Sequence, residues 1–317
     1  MTGGDRLEYE KRVNRVIDYV RAHLAEELSL AQLARLAAFS PFHFHRVFRA
    51  ITGETLFAFI QRVRIERAAV ALRDHPDESV LAVALDHGFT SAAAFARAFR
   101  AHFGMSATEW RAGGAERWRD EQARAAGPRS KHGQSNRKRG KAATRRVAHT
   151  PRKRREEVSM NVRVTEWPVQ HVAYMRYVGP YGAHGIPELW MKFKKWIETH
   201  DLGSDSTITL GVAHDDPNIT AAEQCRYDAC VVVPQGFTPD RWVNVMDVPG
   251  GKCAVSEFVG TAHEIREAWE ELYRSWLPGS GFQPDDRPCF EVYRGNPSVD
   301  AERGAFRCEL CLPVRPL

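Results

Sequence analysis

At 317 residues the chain exceeds one average domain, so two domains are expected. Its composition, 43% hydrophobic and 27% charged, fits a soluble globular protein and excludes a disordered or membrane one. The net charge of +5 hides a split: residues 1–158 hold 30 Lys and Arg against 18 Asp and Glu, residues 159–317 hold 15 against 22. The first half therefore suits a polyanion and the second a cation. The longest apolar runs, VLAVAL and ACVVV, fall short of the ~20 residues of a membrane helix. MTGGDRLEYEKR lacks the apolar stretch of a secretory signal, so a cytoplasmic location with no membrane partner is expected.

Residues 8 to about 111 read as helix after helix. Val13, Val16, Ile17, Val20 and Leu24 recur on one helical face. Ser29 with Gln32 has capping-box spacing before LAQLARLA. Ser40-Pro41 opens FHFHRVFRAI and Gly53 closes it. A longer helix runs from about Leu56 to Leu72 and ends before Pro76. VLAVALDHG, SAAAFARAFRAHFG and a second capping box, Ser106 with Glu109, follow.

This stretch repeats itself. RVFR at Arg46–Arg49 and RAFR at Arg97–Arg100 lie 51 residues apart, as do Phe44/Phe95, Phe48/Phe99 and Gly53/Gly104. Each follows a short helix and a turn, with Ala34 or Ala84 letting the paired helices approach. The unit is a helix-turn-helix, present twice.

Residues 112–158 change character: Arg129 to Arg155 contain 12 basic residues and no acid. A flexible linker is expected there, adding unspecific attraction to phosphates. Residues 159–317 carry a second duplication, at roughly 80 residues. AYMRYVGPY corresponds to AVSEFVGTA, LWMKFKKWI to AWEELYRSWL, GVAHDDP to EVYRGNP, and RYDACVVVP to FRCELCLP. Each copy reads strand, helix, strand, strand, giving an α+β domain with a pseudo-twofold axis and a ligand crevice between the halves. All six cysteines lie here and are expected reduced and mostly buried. Cys308 and Cys311, three apart on a strand, face opposite sides and cannot share a metal. No metal or cofactor site is expected.

The motifs SPFHFHRVFRAITG and TSAAAFARAFRAHFG make residues 12–111 resemble the AraC/XylS family of bacterial transcription regulators. VGPY, DDP, RYDA and RPCFEVY make residues 160–315 resemble the GyrI-like effector-binding domain. Their order looks like that of the Rob-type regulators. The resemblance implies an all-α double helix-turn-helix domain at 8–111, the linker at 112–158 and the α+β effector domain at 159–317.

By that resemblance the first recognition helix is Pro41–Ala50, reading bases with Phe42, His45 and Arg46. These stand at i, i+3 and i+4 on one face. Arg46 suits guanine and Phe42 a thymine methyl. Ser40, Arg49, Ser91, Arg97 and Arg100 complete the DNA-facing set, Arg100 at a phosphate. The second helix departs from the family pattern, with Ala92, Ala93, Ala94 and Ala96 where relatives carry polar side chains, so readout should be lopsided towards the first. Ala38 stands where glycine is common. The Leu56–Leu72 helix, roughly 25 Å long, can hold the two recognition helices about one DNA turn apart for monomeric binding.

In the second domain the family's pocket carboxylate corresponds to Glu291, whose repeat partner is Gly211. The aromatic neighbours implied are Tyr293, Trp190, Trp269, Tyr273 and Trp276. A carboxylate among aromatic faces suits an apolar cation. The implied function is a DNA-binding transcription regulator, not an enzyme, sensing a small hydrophobic or cationic effector and partnered by double-stranded DNA and RNA polymerase. The alternative is a GyrI-like hydrolase of reactive electrophiles, with Glu291 as general base and Tyr293 or a tryptophan positioning substrate. A third reading is an effector domain that meets only protein partners.

Overall fold

The computed structural model describes residues 3–125, 161–182, 185–295, 297–300 and 302–317. The basic run 129–155 lies outside the described residues.

The helical half comprises α1 (Gly3–Ala22), α2 (Leu30–Leu36), α3 (Pro41–Thr52), α4 (Leu56–Asp74), α5 (Val80–Asp86) and α6 (Ala92–Phe103). Ser29, Ser40, Thr55, Ser79 and Ser91 cap α2 to α6, each side chain accepting from the N–H three residues on. Each such cap is worth about 1 kcal/mol. Gly53 and Gly104 end α3 and α6 in the left-handed region, at φ 79° and 72°. The box expected at Ser29 is half made, because the Gln32 amide donates to Tyr19 Oη (2.7 Å) instead of returning to Ser29.

The 51-residue repeat builds two apolar cores. One joins Val13, Val16 and Val20 of α1 to Leu33, Ala34, Phe44 and Phe48. The other joins Val83, Ala84, Phe95, Phe99 and Phe103 to Trp110. Between them α4 serves both, giving Phe59 and Val63 to the first and Ile65, Ala69 and Leu72 to the second. Its 19 residues span roughly 28 Å.

Beyond α6, the reciprocal Ser106–Glu109 box opens α7 (Ala107–Glu109), which passes through a π-type turn at Trp110–Gly114 into α8 (Ala115–Ala125). Trp110 Nε1 donates to the Ala69 carbonyl (2.9 Å), and the Trp118 ring packs edge-on against Phe103. The sequence reading starts its linker at 112, yet helical structure extends to Ala125. Ala112 and Gly113, the latter at φ 92°, leave helical geometry and end the first helix, but α8 starts directly after them and Trp118 anchors it on the second core.

The second half contains β1 (Val162–Trp167), β2 (Gln170–Val178), α9 (Gly185–Thr199), β3 (Ile208–Ala213), β4 (Arg226–Val232), β5 (Asn244–Val248), β6 (Gly251–Gly260), α10 (Ile265–Glu271), β7 (Phe282–Pro284), β8 (Cys289–Arg294), β9 (Ser298–Asp300) and β10 (Ala305–Pro316). The sheet runs β1-β6-β10-β8-β3-β4-β2-β5, with β7 and β9 on β10. Its centre is a palindrome: β6-β10-β8 mirrors β2-β4-β3 across the β8–β3 seam. β1 and β5 extend the repeat. Each precedes the long strand of its own copy but pairs with that of the other, β1 with β6 and β5 with β2. The duplicated unit is thus one strand longer than its sequence pattern suggested.

α9 and α10 cover one face of the sheet, α9 through Leu189, Phe193 and Trp196 on Ala173, Ala229 and Val231. Tyr174, Leu210, Val212, Cys230, Phe290 and Cys311 form a separate core on the other face. The cysteines are free, five of the six buried, and Cys308 and Cys311 lie on opposite faces.

The two halves also dock on each other. Ile219 enters the second helical core. Arg73 binds Asp216 (2.6 Å), His75 meets Gln283 (2.7 Å), Thr220 donates to Glu66 (3.0 Å) and Arg315 pairs with Glu78 (2.9 Å). Part of the opposite charge of the two halves is therefore satisfied within the chain.

Candidate functional site

The helical half offers one candidate face to DNA. On α3 the buried Phe44 and Phe48 fix the rotation of the helix, and this leaves His45, Arg46 and Arg49 exposed together. Ser40 is exposed at the N-cap, its Oγ within 3.4 Å of the His43 N–H. The Phe42 side chain lies outside the described residues. On α6 the buried Phe95 and Phe99 do the same work, exposing Ala92, Ala93, Ala96, Arg97 and Arg100, with Ser91 exposed at the cap. Arg100 stands 3.9 Å from Glu109, both side chains well exposed, a pair too solvated to hold the arginine. The two helices thus present the same geometry with different chemistry.

The second candidate site lies on the helix-covered face of the sheet, at the β3–β8 seam. Gly211 and Glu291 are direct cross-strand partners there. Tyr293 and Tyr227 each donate their hydroxyl to Glu291 Oε2 at 2.8 Å. Trp269 Nε1 donates to Oε1 at 3.4 Å, and Trp190 Nε1 to Tyr227 Oη at 3.2 Å. The Trp190 and Tyr293 rings meet edge-on, 5.3 Å apart. Glu291, Tyr293, Trp190 and Trp269 all keep partial exposure. Burial raises the Glu291 carboxyl above its ordinary range, against the lowering effect of the bonds from Tyr293, Tyr227 and Trp269.

Four of the six residues grouped by the sequence reading come together here. Tyr273 and Trp276 make no hydrogen bond to Glu291 or its donors. Past Glu271 the helix widens into a π-type turn at Leu272–Trp276. That turn sets Tyr273 Oη 3.2 Å from Cys289 Sγ and stacks Trp276 on Phe282. Sequence reasoning missed Tyr227, the second hydroxyl on the carboxylate. The signal was Gly211, a glycine inside ITLGVA that marks a close approach across the strand. A Cβ at 211 would stand 1.9 Å from Tyr227 Oη.

Residues 33–113 match the helix-turn-helix domain, and residues 160–315 the GyrI-like small molecule binding domain. YosT of Bacillus subtilis, an SPbeta prophage protein assigned as a transcriptional regulator, is 38% identical over 156 residues, 49% of this chain and all of that one. A DNA gyrase inhibitor of Escherichia fergusonii is 31% identical over 163 residues, 50% of this chain and 99% of that one. YbfP of Bacillus subtilis, an uncharacterized HTH-type transcriptional regulator, is 34% identical over 99 residues, 31% of this chain and 33% of that one. The fold and these matches define a DNA-binding transcription regulator with a small-molecule-binding domain. The chain belongs to the AraC-type helix-turn-helix regulators that carry a C-terminal GyrI-like domain. Among the described residues, no helix is long and apolar enough to cross a membrane.

Proposed function

We propose that the GyrI-like domain senses a small hydrophobic cation. One observation carries this reading. Among the described residues the carboxylate of the partly exposed Glu291 is held only by neutral donors, two tyrosines and a tryptophan, with aromatic rings around it. A lipophilic cation supplies what those donors lack: a full opposite charge that also favours ring faces. Trp190, Trp269, Tyr227 and Tyr293 would line the bound cation.

On the DNA side, Phe42, His45 and Arg46 of α3 would read bases, and Arg97 would make the one specific contact of α6. Ser40, Arg49, Ser91 and Arg100 would hold the backbone. Such a regulator acts on promoter DNA in the cytoplasm, with RNA polymerase as its protein partner, and catalyses no step itself. The basic run 129–155 would add affinity without specificity.

The test is quenching of tryptophan fluorescence when tetraphenylphosphonium is titrated into the full chain and into its Glu291→Gln variant. The expected result is saturable quenching, weakened about tenfold or more in the variant, as for loss of a buried charge partner. Equal affinities would refute the counter-ion role.

A further inference from the structure

The strand that closes the Glu291 site also holds the two halves of the chain together. On β4, successive side chains alternate between the faces of the sheet. Tyr227 points to Glu291, whereas its neighbours Arg226 and Asp228 point to the opposite face. There Asp228 accepts a bidentate bond from Arg176 (2.8 and 2.7 Å) and meets His214 Nε2 (2.6 Å). Arg176 reaches on to Asp18 of α1 (2.8 Å), which also accepts from Tyr174 Oη. Arg226 binds Asp215 (2.8 Å) and lies over the Phe59 ring of α4. Arg21 of α1 donates to the His214 carbonyl (2.6 Å) beside that pair.

Every member of this layer is buried or nearly so except Asp18, whose side chain is 25% exposed. Arg21, Arg176 and Arg226 each keep a buried Nη1 with no hydrogen-bond partner among the described residues. An ionic layer that is incompletely satisfied in low dielectric is costly to hold, and small shifts tip it. Its far end is mechanically placed to matter: α1 packs through Val13, Val16 and Val20 in the core that sets Phe44 and Phe48 of α3.

We infer that β4 couples the effector site to DNA binding: a change at Tyr227 is passed through Arg226 and Asp228 to α1, and from α1 to the first recognition helix. The inference rests on the effector reading of Glu291, and its test separates the two. The full chain and its Tyr227→Phe, Asp18→Ala and doubly substituted variants would be titrated against a duplex selected by the wild-type chain from random sequence. Tyr227→Phe removes the hydroxyl that faces Glu291 and accepts from Trp190, and Asp18→Ala cuts the Asp228–Arg176 branch of the layer at α1 without touching either site, leaving the Arg226–Asp215–Arg21 branch in place. Asp18→Asn replaces it if the alanine variant fails to fold.

The expected result is that Tyr227→Phe shifts DNA affinity by about fivefold in the wild-type background and by much less when Asp18 is gone. Additive effects, or no effect of Tyr227→Phe on DNA affinity, would overturn the coupling. In a second arm, tetraphenylphosphonium should change DNA affinity clearly less in Asp18→Ala than in the wild type, while quenching persists in both. Absent quenching would sink the cation reading, and the mutant cycle alone would then decide the coupling.

Discussion

Gly211 and Glu291 face each other across the β3–β8 ladder, and the side chain that the glycine lacks is the space in which the glutamate and Tyr227 meet. The internal duplication would allow either position to carry a side chain. An added Cβ at 211 would fall 1.9 Å from Tyr227 Oη and 2.7 Å from Glu291 Oε2. The asymmetry of the pair therefore makes room for one carboxylate at the axis.

Gly211→Ala should displace Tyr227 and close the site. Overpacking of this kind costs about 1–3 kcal/mol, so a lower unfolding temperature is expected together with loss of tetraphenylphosphonium quenching. Wild-type quenching in a folded Gly211→Ala chain would contradict the assignment of that space.

Glu291 should also leave a mark on stability against pH. Its carboxyl is raised by burial, so the folded chain binds this proton more tightly than the unfolded chain does. Stability from this group is therefore greatest at low pH and is lost as pH rises through the folded pKa. Above the folded pKa the ionised group destabilises the unliganded fold. Glu291→Gln should raise the unfolding midpoint at pH 7, and the advantage should shrink as pH falls towards the ordinary carboxyl range. Cation binding has the opposite dependence, weakening on acidification as the carboxylate is neutralised. A variant less stable than wild type at pH 7 would mean that the three donors outweigh the burial.

The helical half was legible because its signals are local: serine caps, closing glycines and phenylalanines at i and i+4 all report on neighbours within one turn. Glu291, Tyr293, Trp190 and Trp269 were legible through the family motif and the repeat. What escaped depends on distance along the chain. Nothing in RVTEW shows that β1 pairs with the other repeat's β6, since alternation fixes a face and not a partner. Tyr273 and Trp276 kept helical spacing from Trp269, and the π-type turn broke it. The docking layer was hidden because Asp18, Arg21, Arg176 and Asp228 read singly as surface charges. Burial would raise the Asp228 carboxyl, but Arg176 and His214 more than offset that and hold it below the usual carboxylate range.

The turns of the two helix-turn-helix units differ in one testable way. Ala38, between α2 and α3, sits at φ 54°, and Gly88, between α5 and α6, at φ 79°. A non-glycine residue in the left-handed region costs about 1 kcal/mol. Ala38→Gly should then stabilise the chain by about 0.5–1 kcal/mol, the gain being trimmed by the freer unfolded chain. Gly88→Ala should destabilise it by more than that, because its Cβ would stand 2.2 Å from the Leu24 carbonyl, which is backbone and cannot swing away. Thermal unfolding of the two variants decides the matter; equal and opposite shifts would show that φ alone governs both turns.

DNA readout should be asymmetric between the recognition helices. Their scaffolds are equivalent: buried Phe44 and Phe48 orient α3 as buried Phe95 and Phe99 orient α6. Their exposed faces are not, since α3 offers His45 and Arg46 where α6 offers Ala96 and Arg97. Alanine has no hydrogen-bonding group with which to discriminate a base edge, so the α6 half-site can be specified at Arg97 and hardly elsewhere. Arg46→Ala should cost about 1–3 kcal/mol on the preferred duplex and relax the preference at one or two base pairs. Arg100→Ala, at an exposed position suited to phosphate, should weaken all sequences alike and lower the slope of log affinity against log salt by about one unit. Selection from random DNA with the wild-type chain provides the independent check. The expected result is a strongly specified half-site about one helical turn from a weakly specified one, and equal information in both halves would rule the asymmetry out.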